Sequence, residues 1–433
     1  MKPHARLKAA SEVLAEVFPR HRPAALALAD WGKSHRFAGS GDRAAIGNLV
    51  YDALRHKASA AYLMGAETPR ALVLGTLSAA HQLGPAQIAA LCDGSTHALE
   101  KLTEAELRCL DASRLAAAPP WVQADIPEWL MGPLGAAFGD HLVAEGRALA
   151  ERAPVDLRAN TLKATRDQVL QVFAANGATA SSLSPFGVRL PPPAGHDGRT
   201  ANVEADPAHG RGWFEVQDEG SQIAAALTGA RPGQQVLDIC AGAGGKTLAL
   251  AAAMANSGQL FAYDGDKFRL RPIFERLTRA GVDIVEVLQP DNKKQLAALG
   301  PRFDIVLVDA PCTGSGVWRR RPDAKWRLKP GQLAERQADQ RAVLAMAAPQ
   351  VAPGGRLVYV TCSLLPEENG GQIAAFLAAH PEFALVEWRQ AWADALGTAP
   401  TIASADGRDD SLLLTPARHA TDGFFVAVMT RRA

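Results

Sequence analysis

Apolar residues in the first part of the chain recur at the spacing of one helix face. They follow this spacing from Leu7 to Val17 and again from Ile46 to Leu54, where Asp42 stands at a plausible N-cap. Two adjacent prolines after Ala118 then interrupt the helical pattern, because proline lacks a backbone donor and restricts the residue before it. The pattern predicts an all-helical domain over residues 1–118.

The next hundred residues change from helical spacing to short mixed elements. A short extended piece at 155–160 is followed by a helix that starts near Thr165 and by a second extended piece at 187–190. Residues 191–212 are rich in Pro, Gly and Asp and predict an exposed loop. We therefore expect linker helices and a small α/β module, similar to an RRM, over residues 119–215.

Beyond Gln217 short apolar runs alternate with helical stretches, which is typical of a doubly wound, mostly parallel sheet. This pattern predicts a Rossmann-like α/β domain over residues 216–433. A late strand at 423–429 is expected to be antiparallel. The other predicted strands are 235–239, 259–263, 284–288, 303–308 and 356–360.

Composition narrows the class of protein without identifying it. The formal net charge is +1, so a polyanionic partner must be met by a local basic patch. The chain holds five cysteines but no C-x-x-C pair, and its histidines show no metal-ligand spacing. No apolar run approaches the roughly 18 residues that span a bilayer. We expect a cytoplasmic protein with free thiols, no metal and no membrane segment.

A glycine-rich turn follows the predicted strand that ends near Asp238 and reads Asp-Ile-Cys-Ala-Gly-Ala-Gly-Gly-Lys-Thr up to Thr247. It is not a Walker A loop, because Cys240 stands where that motif needs glycine, and Thr247 replaces the third glycine of the dinucleotide motif. Asp264 ends the next strand, where a carboxylate can accept both hydroxyls of a ribose. Each acid alone could instead simply end a strand and cap a helix.

Two cysteines stand at the ends of predicted strands. Cys312 closes the sequence Asp309-Ala-Pro-Cys, and Cys362 lies in Thr-Cys-Ser. Because the carboxyl ends of neighbouring parallel strands face one crevice, both thiols can converge on the glycine turn. A thiol at an open strand end can act as a nucleophile, whereas most free cysteines are buried and inert.

A basic segment follows Cys312 at residues 317–329, with six cations, one acid and two tryptophans. Cations can follow a phosphate backbone and indoles can stack on unpaired bases. A charged run of this kind is also common on a solvated surface. RNA binding is therefore one of two interpretations of this segment.

Together these motifs resemble the Sun/Fmu family of S-adenosylmethionine-dependent RNA cytosine-C5 methyltransferases. The likeness is strongest to the bacterial RsmB-type members, which act on small-subunit (16S) ribosomal RNA. It runs from about Pro127 to the C-terminus, and residues 1–118 resemble more weakly the NusB-like RNA-binding domain of those enzymes. The segments that carry the likeness are 214–221, 238–247, 309–316, 320–326 and 359–369, together with 42–44 and 49–55.

The resemblance implies a Rossmann-like class I methyltransferase domain that binds S-adenosylmethionine. One departure is that Gly242 and Ala243 replace the Ala-Pro pair usual in the family turn, which gives a looser loop. The implied cofactor residues are Asp238, Cys240, Ala241, Gly242, Ala243, Gly244, Gly245, Lys246, Asp264, Asp291 and Asp309. The implied RNA-binding residues are Arg319, Arg320, Arg321, Lys325 and Trp326.

The resemblance also implies catalytic roles. Cys362 would attack C6 of the cytosine, and Asp309 would hydrogen-bond to or protonate N3. Cys312 would release the methylated RNA, and Lys246 would orient Asp309 or the base. The target cytosine must be unpaired or flipped out, because a stacked ring exposes neither face.

Other functional classes remain open on sequence alone. A non-catalytic ribosome-assembly factor would use the NusB-like and basic segments without chemistry, and a tRNA could replace the ribosomal RNA as substrate. A P-loop nucleotidase is disfavoured by Cys240, and a DNA methyltransferase would use Cys312 as its nucleophile. We expect a monomer whose partner is 16S ribosomal RNA or an assembling small subunit.

Overall fold

The computed structural model describes residues 1–18, 22–196, 198–290 and 292–433. They form two compact units. The first unit combines Met1–Arg152 with two later pieces, Pro193–Thr200 and Trp318–Leu328. The second unit holds Ala153–Pro192, Ala201–Val317 and Lys329–Ala433.

The first unit is helical, as the spacing of its apolar residues predicts. Its core gathers the apolar faces of the early helices, including Leu14, Ile46 and Leu74. Asp42 is not an N-cap but lies in the first turn of its helix, where its carboxylate accepts a hydrogen bond from Arg6. The helices are Pro3–Val17, Ala24–Ser34, Ser40–Arg55, Lys57–Met64, Pro69–Ala79, Pro85–Leu91, Glu104–Cys109, Pro120–Gln123, Met131–Phe138, Leu142–Ala150 and Pro322–Arg327.

The paired prolines do not separate two compact units. Pro120 begins the helix Pro120–Gln123, a position where the missing N–H costs nothing. Gly146 packs so closely on Ala124 that an added Cβ would lie 2.5 Å from its carbonyl oxygen. Residues 119–152 belong to the first unit, and the compact units divide the chain at positions other than 118 and 215.

A small antiparallel sheet opens the second unit. Its strands are β1 (Val155–Ala159), β2 (Thr179–Ala180), β3 (Gly187–Leu190) and β4 (Phe214–Val216), in the order β2-β3-β1-β4. The helix Arg166–Val172 begins behind Thr165, whose side chain caps it reciprocally with Gln168. The predicted helix start and both extended pieces of this module are present.

The large sheet lies in the rest of the second unit. Its strands are β5 (Gln235–Ile239), β6 (Gln259–Tyr263), β7 (Val285–Val287), β8 (Phe303–Asp309), β9 (Val351–Thr361), β10 (Phe383–Val386), β11 (Leu412–Leu414) and β12 (Phe424–Arg431). The helices of this unit are Pro207–Gly210, Glu219–Ala226, Gly245–Ala253, Lys267–Leu270, Ile273–Ala280, Lys293–Ala298, Pro330–Ala347, Gly370–Ala379, Trp388–Leu396 and Pro416–His419.

The strand order is β10-β12-β9-β8-β5-β6-β7, with β11 paired to β12. Strands β9, β8, β5, β6 and β7 are mutually parallel, and β12 is antiparallel to β9, as expected. The chain leaves β5 to build β6 on one side and returns to place β8 on the other. This reversal creates a crevice at the carboxyl ends of β5 and β8, where open α/β sheets bind their ligands. Among the described helices none has the length and hydropathy to cross a bilayer.

Candidate active site

The carboxyl edge of the large sheet brings the predicted motifs together. The register pairs Ile239 with Tyr263 and with Val308, so the glycine turn after β5 lies between the ends of β6 and β8. Asp309 at the end of β8 pairs with Val360 of β9, two residues before Cys362. The acids, the turn and both thiols therefore occupy one edge of one sheet.

The glycine turn has a backbone that side chains would obstruct. Cys240, Gly242 and Gly244 have φ angles of 68°, 51° and 81°, all in the left-handed region. A Cβ on Gly244 would lie 2.6 Å from a side-chain carbon of Ile273, so only glycine lets the turn approach the helix Ile273–Ala280. The helix Gly245–Ala253 then begins directly at the turn, with its N-terminus toward the crevice edge.

Two of the predicted cofactor acids are fixed by the turn itself. Asp264 accepts hydrogen bonds from the backbone N–H of Gly242 at 2.9 Å and of Asp266 at 2.8 Å. Asp238 is fully buried and accepts a hydrogen bond from the Thr247 hydroxyl at 2.6 Å, while its Oδ1 has no hydrogen-bond partner among the described residues. Burial raises the pKa of Asp238 to about 7.

Lys246 and Asp309 form an ion pair, 2.7 Å between Nζ and Oδ2, at the end of β8. The lysine side chain is 7% exposed and the aspartate side chain 33% exposed, so the carboxylate opens toward the crevice. The ammonium also lies 5.3 Å from the centre of the Phe424 ring. The pair thus has a fixed geometry, and Phe424 is a contributor that the sequence does not reveal.

The sulfur atoms of Cys312 and Cys362 lie 3.4 Å apart. Both side chains are half-buried and neither is oxidised. The hydrogen bond with Cys362, followed by burial, raises the pKa of the Cys312 thiol well above its usual value. Cys92 is buried in the helical core, and burial raises the pKa of its thiol and that of the Cys240 thiol.

The residues at this edge suit S-adenosylmethionine by the chemistry of their donors. The glycine turn admits a flat ligand close to the backbone, and carboxylates at three strand ends suit a cationic adenosyl group with ribose hydroxyls. The unpartnered Oδ1 of Asp238 is one buried acceptor still available. Asp291, the remaining expected cofactor acid, lies outside the described residues.

Two residues of the basic segment, Lys325 and Trp326, contact the end of the helix Ser40–Arg55. Lys325 is 1% exposed and donates from Nζ to the carbonyl oxygen of Arg55, and burial lowers the pKa of its ammonium to about 8. Trp326 donates from Nε1 to the carbonyl oxygen of Leu54 at 2.5 Å. These carbonyls end the helix Ser40–Arg55, where no intrahelical donor remains for them.

The five predicted RNA-binding residues therefore differ in their exposure. Arg319 and Lys325 are buried, and their role in RNA binding stays a prediction. Arg320 and Trp326 are half-buried, and Arg321 is exposed. All five belong to the first compact unit, although only five residues lie between Cys312 and Trp318 in the chain.

One group of potential metal ligands occurs among the described residues, formed by Asp52, His81 and His196. Both oxygens of Asp52 accept hydrogen bonds from Arg152, one of them also from Arg55 and the other also from His81. The carboxylate is thus engaged by cationic side chains. We describe the group as an ion-pair network of the helical unit.

The strand order, the glycine turn and the acids at the strand ends together fit the fold of an S-adenosylmethionine-dependent methyltransferase, and solved structures share this fold. The crystal structure of PH0851 superposes with a TM-score of 0.72 at 26% identity, covering 99% of each chain. A methyltransferase homolog protein from Pyrococcus horikoshii gives a TM-score of 0.58 at 25% identity, covering 74% of this chain and 99% of the other.

Sequence comparison narrows this class to one family. Residues 225–430 match the family described as 16S rRNA methyltransferase RsmB/F, and residues 126–195 match the ferredoxin-like domain of RsmF/B-like methyltransferases. The chain belongs to the RsmB/F methyltransferase family. The ribosomal RNA small subunit methyltransferase B of Sodalis glossinidius is 38% identical over 283 residues, which are 65% of this chain and 64% of that protein. The matches span 57% to 66% of the length of such relatives.

Besides Phe424, sequence reasoning missed three further contributors to the site. Thr247 bonds to Asp238, Arg276 bonds to the carbonyl oxygen of Ala243, and Glu368 bonds to residues next to both cysteines. Thr247 and Glu368 lie within the motifs that carry the family resemblance, so a search for polar residues inside those motifs could have selected them. Arg276 lies on the helix Ile273–Ala280, outside those motifs, so its sequence position does not indicate a role in the site.

Proposed function

We propose that this protein methylates C5 of a cytosine in small-subunit ribosomal RNA, with S-adenosylmethionine as methyl donor. The observation that carries the proposal is the pair of thiols 3.4 Å apart at the sheet edge that also bears the Lys246–Asp309 ion pair. A single thiol would suit many chemistries. Two opposed thiols next to a cofactor turn suit a reaction in which one sulfur bonds to the base and the other assists its release.

The cofactor residues are those of the turn and the strand ends. Asp264 is assigned to the ribose hydroxyls, and Asp238 and Asp309 supply negative charge for the cationic ligand. When bound, S-adenosylmethionine supplies an electrophilic methyl group. The turn residues Cys240, Ala241, Gly242, Ala243, Gly244 and Gly245 line this site, and Asp291 is assigned to it on family resemblance alone.

Cys362 is assigned the nucleophilic role. C5 of cytosine is too poor a nucleophile to accept a methyl group directly, so the ring must first gain electron density. The Cys362 thiolate adds to C6, the C6–S bond forms, and the ring electron pair moves to C5. Asp309 hydrogen-bonds to or protonates N3, and Lys246 fixes that carboxylate and places positive charge beside the ring.

Release reverses the addition. A base takes the C5 proton, the electron pair reforms the C5–C6 double bond, and the sulfur of Cys362 leaves as thiolate. Cys312 lies 3.4 Å from that sulfur and is assigned to this step, directly or through water. Its proton can be shared with the departing thiolate.

The helical unit is assigned to RNA recognition as a NusB-like domain, ahead of the ferredoxin-like module and the catalytic domain. We propose a monomer that acts in the cytoplasm on 16S ribosomal RNA or on an assembling small subunit. Arg321 is exposed and is the residue of the predicted RNA-binding set that we assign to a phosphate contact. The target cytosine must leave its stack to expose C6 to the thiol.

The test is transfer of radiolabelled methyl groups into 16S ribosomal RNA, with tRNA and duplex DNA as alternative substrates. Cys362→Ala should abolish transfer, and Cys312→Ala should accumulate a covalent protein–RNA adduct that survives denaturation. Cys109→Ser, a change in the helical unit, should behave as wild type. Full turnover by Cys362→Ala would refute the nucleophile, and adducts that depend on Cys312 would reverse the two roles.

A further inference from the structure

The carboxyl group of Glu368 is completely buried and connects the two cysteine turns. Its Oε1 accepts the backbone N–H of Thr313 at 2.8 Å and the side-chain amide of Gln340 at 3.0 Å. Its Oε2 accepts the hydroxyls of Thr313 and Ser363, both at 2.5 Å. Thr313 directly follows Cys312 and Ser363 directly follows Cys362. The carboxyl group thus contacts the residue that directly follows each cysteine.

All four hydrogen bonds are donated to the carboxyl group, which is the pattern that an ionised carboxylate accepts. Burial raises the pKa of Glu368, and the four donors oppose this effect. A buried charge is retained only where such donors replace its hydration. The carboxylate and its donors therefore form a buried polar network next to the two cysteine turns.

The network is not symmetric between the two thiols. Thr313 contributes two bonds, and Gln340 donates both to Glu368 and to the carbonyl oxygen of Pro311 at 2.9 Å. The residues on both sides of Cys312 are therefore tied to the carboxylate, whereas the Cys362 turn is tied to it through Ser363 alone. Glu368 also adds to the increase in the pKa of the Cys312 thiol, after the hydrogen bond with Cys362 and burial.

We propose that Glu368 is a positioning residue that holds the two cysteine turns together and directs the negative charge of the thiol pair to Cys362. The Glu368 carboxylate, bonded to the Cys312 turn, disfavours a second negative charge on the Cys312 sulfur. Cys312 then keeps its proton and donates it across the 3.4 Å contact, which stabilises the thiolate on Cys362. Glu368 thereby decides which of two similar sulfurs is the nucleophile.

This inference rests on the proposed function for its purpose but makes a claim about the thiols that needs no RNA. The test is alkylation of the full-length protein by iodoacetamide between pH 6 and 10, with the rate at each cysteine read by mass spectrometry of its peptide. Glu368→Gln is the central variant. Its carbonyl can accept the Thr313 and Gln340 N–H groups, and its amide can donate to the two hydroxyls once they rotate. The geometry is kept and the charge is lost. Glu367→Gln, one residue away, is the matched control.

In the wild type we expect Cys362 to react at least tenfold faster than Cys312 near pH 7.5. Glu368→Gln should reduce this ratio at least threefold and shift the Cys312 profile to lower pH, and Glu367→Gln should leave both unchanged. An unchanged ratio in Glu368→Gln would overturn the charge-directing role. Glu368→Ala should also accelerate both alkylations, because the turns are no longer held, and wild-type rates in that variant would overturn the positioning role.

If Glu368→Ala does not fold, Thr313→Val and Ser363→Ala test positioning by removing one hydroxyl donor each. Thr313→Val should accelerate alkylation of Cys312 more than that of Cys362, and Ser363→Ala should do the reverse. If both variants are alkylated at the wild-type rates, the hydrogen-bond network does not position the thiols. These readouts separate the two proposals, since a failure to methylate RNA refutes the proposed function but leaves the alkylation ratio to decide on Glu368.

Discussion

Nη1 of Arg276 donates a hydrogen bond to the carbonyl oxygen of Ala243 at 2.8 Å and so ties the cofactor turn to the helix Ile273–Ala280. The same guanidinium pairs with the buried carboxylate of Glu215 on β4. In this chain Gly242 and Ala243 stand where the family usually has Ala-Pro. Arg276 and Glu215 thus form a clamp that fixes the Ala243 carbonyl from another helix.

Loss of this clamp should weaken cofactor binding. We expect Arg276→Ala to lower the affinity for S-adenosylmethionine about tenfold, since a charge-assisted hydrogen bond contributes about 1.5 kcal/mol or more. Isothermal titration calorimetry measures the change. The control is Arg271→Ala, which changes an exposed arginine five positions before Arg276. This variant should bind S-adenosylmethionine as the wild type does. Equal affinities for Arg276→Ala and the wild type would show that the turn holds its shape unaided.

Lys246 should affect the rate more than cofactor binding. Removal of its ammonium leaves Asp309 without its partner at 2.7 Å, so we expect Lys246→Met to lower kcat about a hundredfold. Single-turnover methylation of RNA measures the step, and Lys267→Met is a control on the next helix. A tenfold or larger loss of cofactor affinity with unchanged kcat would assign Lys246 to binding instead.

The buried Asp238 should make stability depend on pH. Burial raises its pKa to about 7, so between about pH 4 and pH 7 the folded protein keeps a proton that the unfolded chain has lost. Its contribution to stability is therefore present at low pH and disappears as the pH rises through 7, by up to about 4 kcal/mol. Relative to Asp238→Asn, which does not titrate, the wild type should lose unfolding free energy across this range. Urea unfolding at several pH values measures the difference, and parallel curves for the two proteins would contradict it.

Within the basic segment, Arg321 and Lys325 should differ in their effect on RNA binding. Arg321→Ala should weaken RNA binding and reduce the slope of log affinity against log salt concentration by about one, because an exposed cation that meets a phosphate releases counterions. Lys325→Met should leave that slope unchanged, since Lys325 already donates to Arg55. Fluorescence anisotropy with a labelled RNA at several salt concentrations provides the measurement. A reduced slope in Lys325→Met would mean that the segment opens to bind RNA.

The sequence allowed the sheet and the thiol pair to be predicted, because both depend on local signals. Buried parallel strands give apolar runs that end in polar residues, and parallel strands in one sheet place those ends together. Cys312 and Cys362 lie 50 residues apart in the chain and still meet, as β8 and β9 are neighbours. Segments without a regular pattern of apolar residues, such as the basic segment, were harder to predict.

The environment of the basic segment could not be predicted in the same way. A run of cations normally marks a solvated surface, and the reason that Lys325 is buried lies some 270 residues away, at the end of the helix Ser40–Arg55. Free carbonyls at a helix C-terminus attract N–H donors and cations. The match between Lys325, Trp326 and these carbonyls depends on tertiary structure alone. The asymmetric network around Glu368 is likewise a product of packing.

Trp318–Leu328 completes a unit whose other parts come mainly from the first 152 residues. During synthesis, about three quarters of the chain must therefore leave the ribosome before the carbonyls that end the helix Ser40–Arg55 receive their donors. The helical unit can collapse early, yet it reaches its final form only after the strand that leads to Cys312 has been made. Maturation of the two units is thus ordered in time by the path of the chain.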